Sequence, residues 1–284
     1  MTTPAPQAPY QPPQDRQGAS GGFYHSPIPV RRASLGDAIA SEWTKIRSVR
    51  STMWTLGVMI VLLLGIGLLS AFVVSASEAD LEGTPVLSLG FFGVLLGSIC
   101  VITLGVLTIA SEYGTGMIRT TLTACPSRSR VLTAKAIVFF LLSFVITTVM
   151  TTVVGVLQSA MVDGAEPTGD DWLRSTVGVG LYIAMLGLLS LALGALIRHS
   201  AGAITIMIAV VLLPLVLAMF MFSESLAGLQ QALFEYSIPN QLGAFYDASV
   251  TTSGPTGWEP LWIMLGVTAV AMAAAYLTLD RRDV

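Results

Sequence analysis

Residues 51–77 read STMWTLGVMIVLLLGIGLLSAFVVSAS, with Arg50 just before them and Glu78 just after. No Asp, Glu, Lys or Arg interrupts the run. A helix rises 1.5 Å per residue, so about 20 such residues cross the ~30 Å hydrocarbon layer of a bilayer. Five further stretches pass the same test: Gly83 to Ser111, Ala136 to Val162, Ser175 to Ile197, His199 to Ser223 and Pro260 to Leu279. They predict membrane-spanning helices at about 52–76, 86–110, 136–160, 175–197, 201–222 and 260–279. The runs are continuously apolar and lack the period-two alternation of a barrel strand, so the fold class is an all-α polytopic membrane protein. Only 11% of the residues are charged and 54% are hydrophobic, with a mean hydropathy of +0.75. Soluble chains carry about 25% charged residues, so lipid is the solvent this composition fits.

The basic residues set the orientation. If both ends lie in the cytoplasm, thirteen of the fourteen Lys and Arg fall on that side, and only Arg174 faces out. The outer segments are acidic: Glu78, Asp80 and Glu82; then Asp163, Glu166, Asp170 and Asp171; then Glu224, Glu235 and Asp247. The positive-inside rule therefore predicts a multi-pass protein of the cell membrane with N and C termini inside. Residues 1–33 hold seven of the fourteen prolines by position 30 and no apolar core, which predicts a disordered cytoplasmic tail ahead of a membrane domain over 34–284.

Several function classes find no support. The spans, so bounded, contain no ionised side chain of the kind ion-coupled transport or voltage sensing uses. His25 and His199 are the two histidines, and neither suits an intramembrane Ser/His pair. No Gly-x-x-x-x-Gly-Lys-Ser/Thr phosphate loop and no Gly-x-Ser-x-Gly elbow is present, so neither an ATPase site nor a catalytic residue is assigned. Cys100 and Cys125 have no partner spacing for a disulfide framework or a metal, and no cofactor or metal is expected. Nothing points to nucleic acid. His199 reads as a polar cap at a span end.

Two stretches on the basic side carry structure of their own. Ser34-x-x-Asp37 is a capping-box pattern. Behind it Leu35, Ile39, Trp43, Ile46, Val49 and Met53 recur every three or four residues, with Lys45, Arg47 and Arg50 beside them. This is an amphipathic interfacial helix, read either as a lipid anchor or as a docking surface, with Glu42, Trp43, Lys45 and Arg47 as its candidate residues. Between spans two and three, Glu112, Gly114, Thr115, Gly116, Met117, Ile118, Arg119, Leu122 and Pro126 form a second unit. The glycines turn the chain, Thr115 would cap a short helix that Pro126 ends, and Ser127 would cap the next span, with Arg128, Arg130 and Lys135 at headgroup level. A plain connector is the alternative.

Elsewhere, Gly93-x-x-x-Gly97 permits close helix packing, in the first place within the chain and in the second across a dimer. Pro214 predicts a kink in span five, either as geometry or as part of a substrate path. In the long third outer loop, Leu226, Leu229, Leu233 and Phe234 suit one short amphipathic helix, and Leu242, Phe245 and Tyr246 after Pro239 suit another.

The pattern Glu112, Gly114-Thr115, Arg119, Leu122, Pro126, Ser127-Arg128, Leu132 and Ala134-Lys135 resembles type-2 ABC transporter permeases. So does Ser41-Glu42-x-x-Lys45-x-x-x-Ser48 before span one, together with six spans and a long outer loop between spans five and six. The resemblance covers roughly residues 34–284. It implies a permease subunit, of the drug- and antibiotic-exporter kind, that pairs with a second permease copy as a homodimer and binds a separate cytoplasmic ATP-binding subunit. It implies that the helix before span one and the 112–126 unit contact that ATPase, with Glu112 and Arg119 as charge contacts and Met117, Ile118 and Leu122 filling a groove. It also implies a substrate route lined largely by spans two and five. Uncharged spans favour apolar or amphipathic cargo. Two other readings remain open at this point: the substrate-binding membrane subunit of a vitamin-type importer, and a membrane scaffold or sensor that transports nothing.

Overall fold

A computed structural model describes residues 34–77, 85–249, 251 and 253–281. The expected disordered tail, the acidic segment Glu78 to Glu82 and Arg282 lie outside the described residues.

All regular structure among the described residues is helical. An amphipathic helix α1 (Leu35–Ser48) precedes α2 (Arg50–Ala76), α3 (Phe91–Thr115), a short α4 (Met117–Ala124), α5 (Arg128–Met161), a one-turn α6 (Gly169–Leu173), α7 (Val179–Ile197), α8 (Ser200–Met219), two loop helices α9 (Ala227–Glu235) and α10 (Ile238–Ala244), and α11 (Glu259–Arg281). Six helical segments are long and apolar enough to cross a membrane. The chain is an all-α polytopic membrane protein.

The segments differ from their sequence-based bounds at the ends. The third extends back to Arg128, eight residues before the charge-free run, giving a helix about 50 Å long. The fourth starts at Gly169 and passes through one wide turn, Arg174–Gly178, before α7. The fifth ends at Met219 rather than near 222 and runs as one helix through Pro214. Arg198, in the left-handed conformation, closes α7, and His199 Nδ1 accepts the Gly202 N–H at 3.0 Å to cap α8.

Helix α7 is the centre. It packs against α3, α5 and α11, with α2 lying across α3 and α5 and α8 lying on α3. In the most apolar stretch of each span, 61% and 67% of the residues on α3 and α7 are buried, against 17–22% on α2, α8 and α11, which lie at the periphery. Glycines bring the central backbones together. A methyl group on Gly105 would sit 2.5 Å from the Gly187 carbonyl oxygen, and one on Gly187 would sit 2.6 Å from the Phe139 ring. Membrane helices lack a hydrophobic drive to associate, so contact at this range is what dispersion requires. The Gly93-x-x-x-Gly97 pair is likewise internal. It lies on α2, where a Gly93 methyl would meet the Leu63 carbonyl oxygen at 3.1 Å.

The opposite end of the bundle is closed by the third loop. Helix α10 is entirely buried, and Phe245 behind it packs edge-on against Tyr182 and Trp258. Arg174 draws Asp170, Asp171 and Asp247 together at 2.7–2.9 Å, tying the segment that leads into α7 to the loop between α8 and α11.

Candidate functional site

At the basic end, two short helices are folded against the spans. Ser34 starts α1 with the expected capping box: its N–H donates to Asp37 Oδ2 at 2.8 Å and its Oγ accepts the Asp37 N–H at 3.2 Å. The helix stops where Val49 turns extended, so Met53 belongs to α2 and not to the α1 stripe. Gly116, at φ 73°, ends α3 and opens α4 in a conformation that costs a glycine little. It takes the cap position expected of Thr115, whose hydroxyl instead donates to the Ser111 carbonyl. After α4, Pro126 follows the cap residue Cys125, and Ser127 Oγ accepts the Arg130 N–H at 3.4 Å to start α5.

The face α1 turns inward carries Glu42, Lys45 and Ile46. Glu42 Oε2 accepts from Lys135 Nζ at 2.8 Å and Glu42 Oε1 from Lys45 Nζ at 2.8 Å. Glu112 Oε1, from the last turn of α3, accepts from both lysines, at 2.7 Å from Lys135 and 2.8 Å from Lys45. Lys135 spends its third proton on the Thr108 carbonyl at 3.1 Å, and Lys45 reaches Thr121 Oγ1 of α4 at 3.4 Å. Four helices, α1, α3, α4 and α5, therefore meet in one network.

Its electrostatics are closed. Two carboxylates face two ammonium groups, and Lys135, only 1% exposed, has an acceptor for each of its three protons. Without such pairing, burying these charges would cost several kcal/mol per ion. At Lys45, burial alone would lower the ammonium pKa, but hydrogen bonds to Glu112 and Glu42 and their charges outweigh it and hold it above the ordinary lysine value of 10.5.

This geometry corrects three expectations. Glu112 is 5% exposed and committed to two lysines, so it is an internal tie and offers no charge to a partner. Lys135 is enclosed and paired within the bundle, so its ammonium is not open to headgroups. Lys45 leaves the basic face of α1 for the network, while Trp43 and Arg47 stay exposed. On α4, Ile118 points inward and Leu122 is half-buried; Met117, half exposed, borders the space between α4 and α1, and Arg119 faces out. Gly114 is exposed with open space around it. Pro214 is half-buried on α8, apart from the network.

The sequence reading named Lys135 but not its part in the network, and it missed Thr108 and Thr121. A signal was available for the first: Glu112 and Lys135 are the charges that directly bound the charge-free runs of spans two and three.

The rest of the basic end is also fastened. Arg198 stacks over the Tyr113 ring at 4.8 Å, Arg128 Nη1 donates to the Leu279 carbonyl at 2.8 Å, and Thr133 and Tyr276 share a hydrogen bond of 2.8 Å. Two openings flank the network. A groove of about 330 Å³ between α1 and α4 is edged by Asp37, Ser41, Thr120 and Cys125. A cavity of about 200 Å³ lies between the α1–α2 corner and α3 and α5.

No curated protein matches this sequence. Residues 55–284 match a family model described as a protein of unknown function, DUF2705. The match takes in all but the start of the first spanning helix and leaves α1 outside. The chain belongs to the DUF2705 family.

Proposed function

We propose that the chain is the permease subunit of an ATP-binding-cassette transporter in the cell membrane. It works as an exporter of small or amphipathic cargo and is powered by a separate cytoplasmic ATPase. The observation that carries this reading is the attachment of α4. It is a discrete eight-residue helix strung directly between two spanning helices, with Ile118 seated inward and Arg119 presented outward. The ion network joins α3 and α5 to α1 and reaches α4 through Thr121, so a force on α4 passes to two spans and to the interfacial helix together. A connector has no need of such a joint. The resemblance of the 112–135 segment to type-2 permeases points the same way, as does the basic character of this end, which the positive-inside rule assigns to the cytoplasm.

On this reading the chain acts as a homodimer, does not bind ATP, and uses α4 with the exposed side of α1 as the ATPase seat. Affinity purification from membranes of the native host tests it. The wild-type chain should carry a Walker-type ATPase subunit, and Arg119→Glu, on the outer side of α4, should lose it while inserting and folding normally. Equal recovery with both chains would contradict the seat, and hydrolysis of ATP by the chain alone would contradict the division of labour.

A further inference from the structure

At the end of the bundle away from the ion network, α2, α3, α5, the wide turn before α7 and Tyr246 behind α10 surround a small cavity, and every residue lining it is buried. It leaves about 10 Å³ for the centre of a water molecule, about what a single water requires. Four of the lining residues are polar: Thr151, Gln158, Ser175 and Tyr246. Gln158 is 1% exposed, and its Nε2 donates to the Gly67 carbonyl of α2 at 2.9 Å, which leaves Oε1 as an acceptor. Thr151 Oγ1 donates to the Thr147 carbonyl at 2.9 Å and Ser175 Oγ to the Asp171 carbonyl at 2.7 Å, so both hydroxyls keep only lone pairs to offer. Tyr246 Oη is buried with no hydrogen-bond partner among the described residues. A methyl group on Gly90 would lie 3.8 Å from Tyr246 Oη and 3.8 Å from Gln158 Oε1, so these two oxygens converge on one spot. The cavity therefore presents one free donor, three acceptors and no charged side chain. A cation would find no carboxylate to offset it, whereas a water both accepts and donates.

We infer that this cavity is the site of one ordered water. The water accepts from Tyr246 Oη and donates to Gln158 Oε1, with its second proton on Thr151 or Ser175. Leaving a buried hydroxyl unpaired costs its full desolvation, and a bridging water satisfies it nearly as well as a direct bond. The bridge has a mechanical consequence. Tyr246 belongs to the loop that closes this end of the bundle, Gln158 belongs to α5, and the Gln158 amide continues the chain of hydrogen bonds to α2. One water thus fastens the closing loop to two spans. The inference does not depend on what the protein transports or on its partner.

The test uses the full purified chain, mixed with oxygen-18 water for a varied delay and then exposed to an X-ray pulse that turns local water into hydroxyl radical. Mass spectrometry reads the oxidation at each side chain. Tyr246 should be oxidised although it is buried, and its uptake of oxygen-18 should lag that of the exposed Tyr236 at least tenfold in time. Gly90→Ala places a methyl at ordinary contact distance in the cavity, so it should abolish oxidation at Tyr246 without a clash. Tyr246→Phe should lower the thermal unfolding midpoint by about 2–4 °C, the shift one net hydrogen bond gives a chain of roughly this size. Gln158→Leu combined with Tyr246→Phe should cost less than the sum of the two, because one water serves both. A Tyr246 that stays unoxidised in the wild type would mean a dry cavity. A Tyr246→Phe chain as stable as wild type or more so would mean a hydroxyl with no partner. A midpoint that rises in sodium chloride over choline chloride at equal concentration would mean a cation. Each of these three results would overturn the proposal.

Discussion

Lys135 Nζ lies 2.7 Å from Glu112 Oε1, and both residues are enclosed where α3, α5 and α1 converge. The pair is half of a balanced set, and balance decides what its loss does. Removing Lys135 leaves Glu42 and Glu112 facing Lys45 alone, with one uncompensated charge; removing the Glu112 charge leaves two ammoniums on Glu42. Breaking one partner of a buried pair typically costs about 3–5 kcal/mol. Lys135→Met and Glu112→Gln should each lower the thermal unfolding midpoint of the purified chain strongly. The double variant, which leaves the neutral Glu42–Lys45 pair, should recover most of the loss. Singles that melt like wild type, or a double that melts at the sum of their losses, would show that the network does not hold this end together.

The alkaline limit of the network follows from Lys45. Its folded pKa is raised above 10.5, so the stability it contributes is fully present below that value and is lost as pH rises through the higher folded value. The difference in unfolding midpoint between wild type and Lys45→Met should be constant from pH 7 to 10 and should close only above the ordinary lysine range. A difference that closes near neutral pH would assign it to some other group.

Glycines at the α3–α7 seam should be intolerant in proportion to what a methyl group would meet. At Gly105 it would meet the Gly187 backbone, which cannot give way as a flexible side chain does. Gly105→Ala should cost about 1–3 kcal/mol in detergent unfolding. Gly65→Ala, with nothing within 4 Å, should be neutral or slightly stabilising, since glycine inside a helix is the poorer former. Equal effects at the two positions would refute the close seam.

The two ends of the bundle should report opposite sides of the membrane. In a chain lacking Cys100 and Cys125, Asp170→Cys should react with an impermeant thiol reagent added to intact cells, and Ser129→Cys only after lysis. Both positions are exposed, so access and not burial decides the result. Labelling of position 129 from outside would invert the topology.

The spans were legible because absence of charge over a run the thickness of a bilayer is a one-dimensional signal. That same criterion hid the site. It ends span two at Ser111 and begins span three at Ala136, and so puts Glu112 and Lys135 into the flanks as ordinary boundary charges. Their pairing depends on how α3 and α5 pack, over a separation of 23 residues, and no periodicity reports that. The capping box at Ser34 and the Ser127 cap were readable because they are local. Thr115 failed as a cap because Gly116 could take the left-handed turn that a threonine resists. Burial of α10 was not legible either, since a short apolar stripe serves a surface helix and a plug equally well.

The outward side of α4 bears most directly on the central claim. A photoreactive amino acid in place of Arg119, in the native host and irradiated in intact cells, identifies what that side touches. The account predicts a dominant adduct with a cytoplasmic ATPase carrying a Gly-x-x-x-x-Gly-Lys-Ser/Thr loop. Adducts with lipid alone, or with a protein from the far side of the membrane, would contradict it.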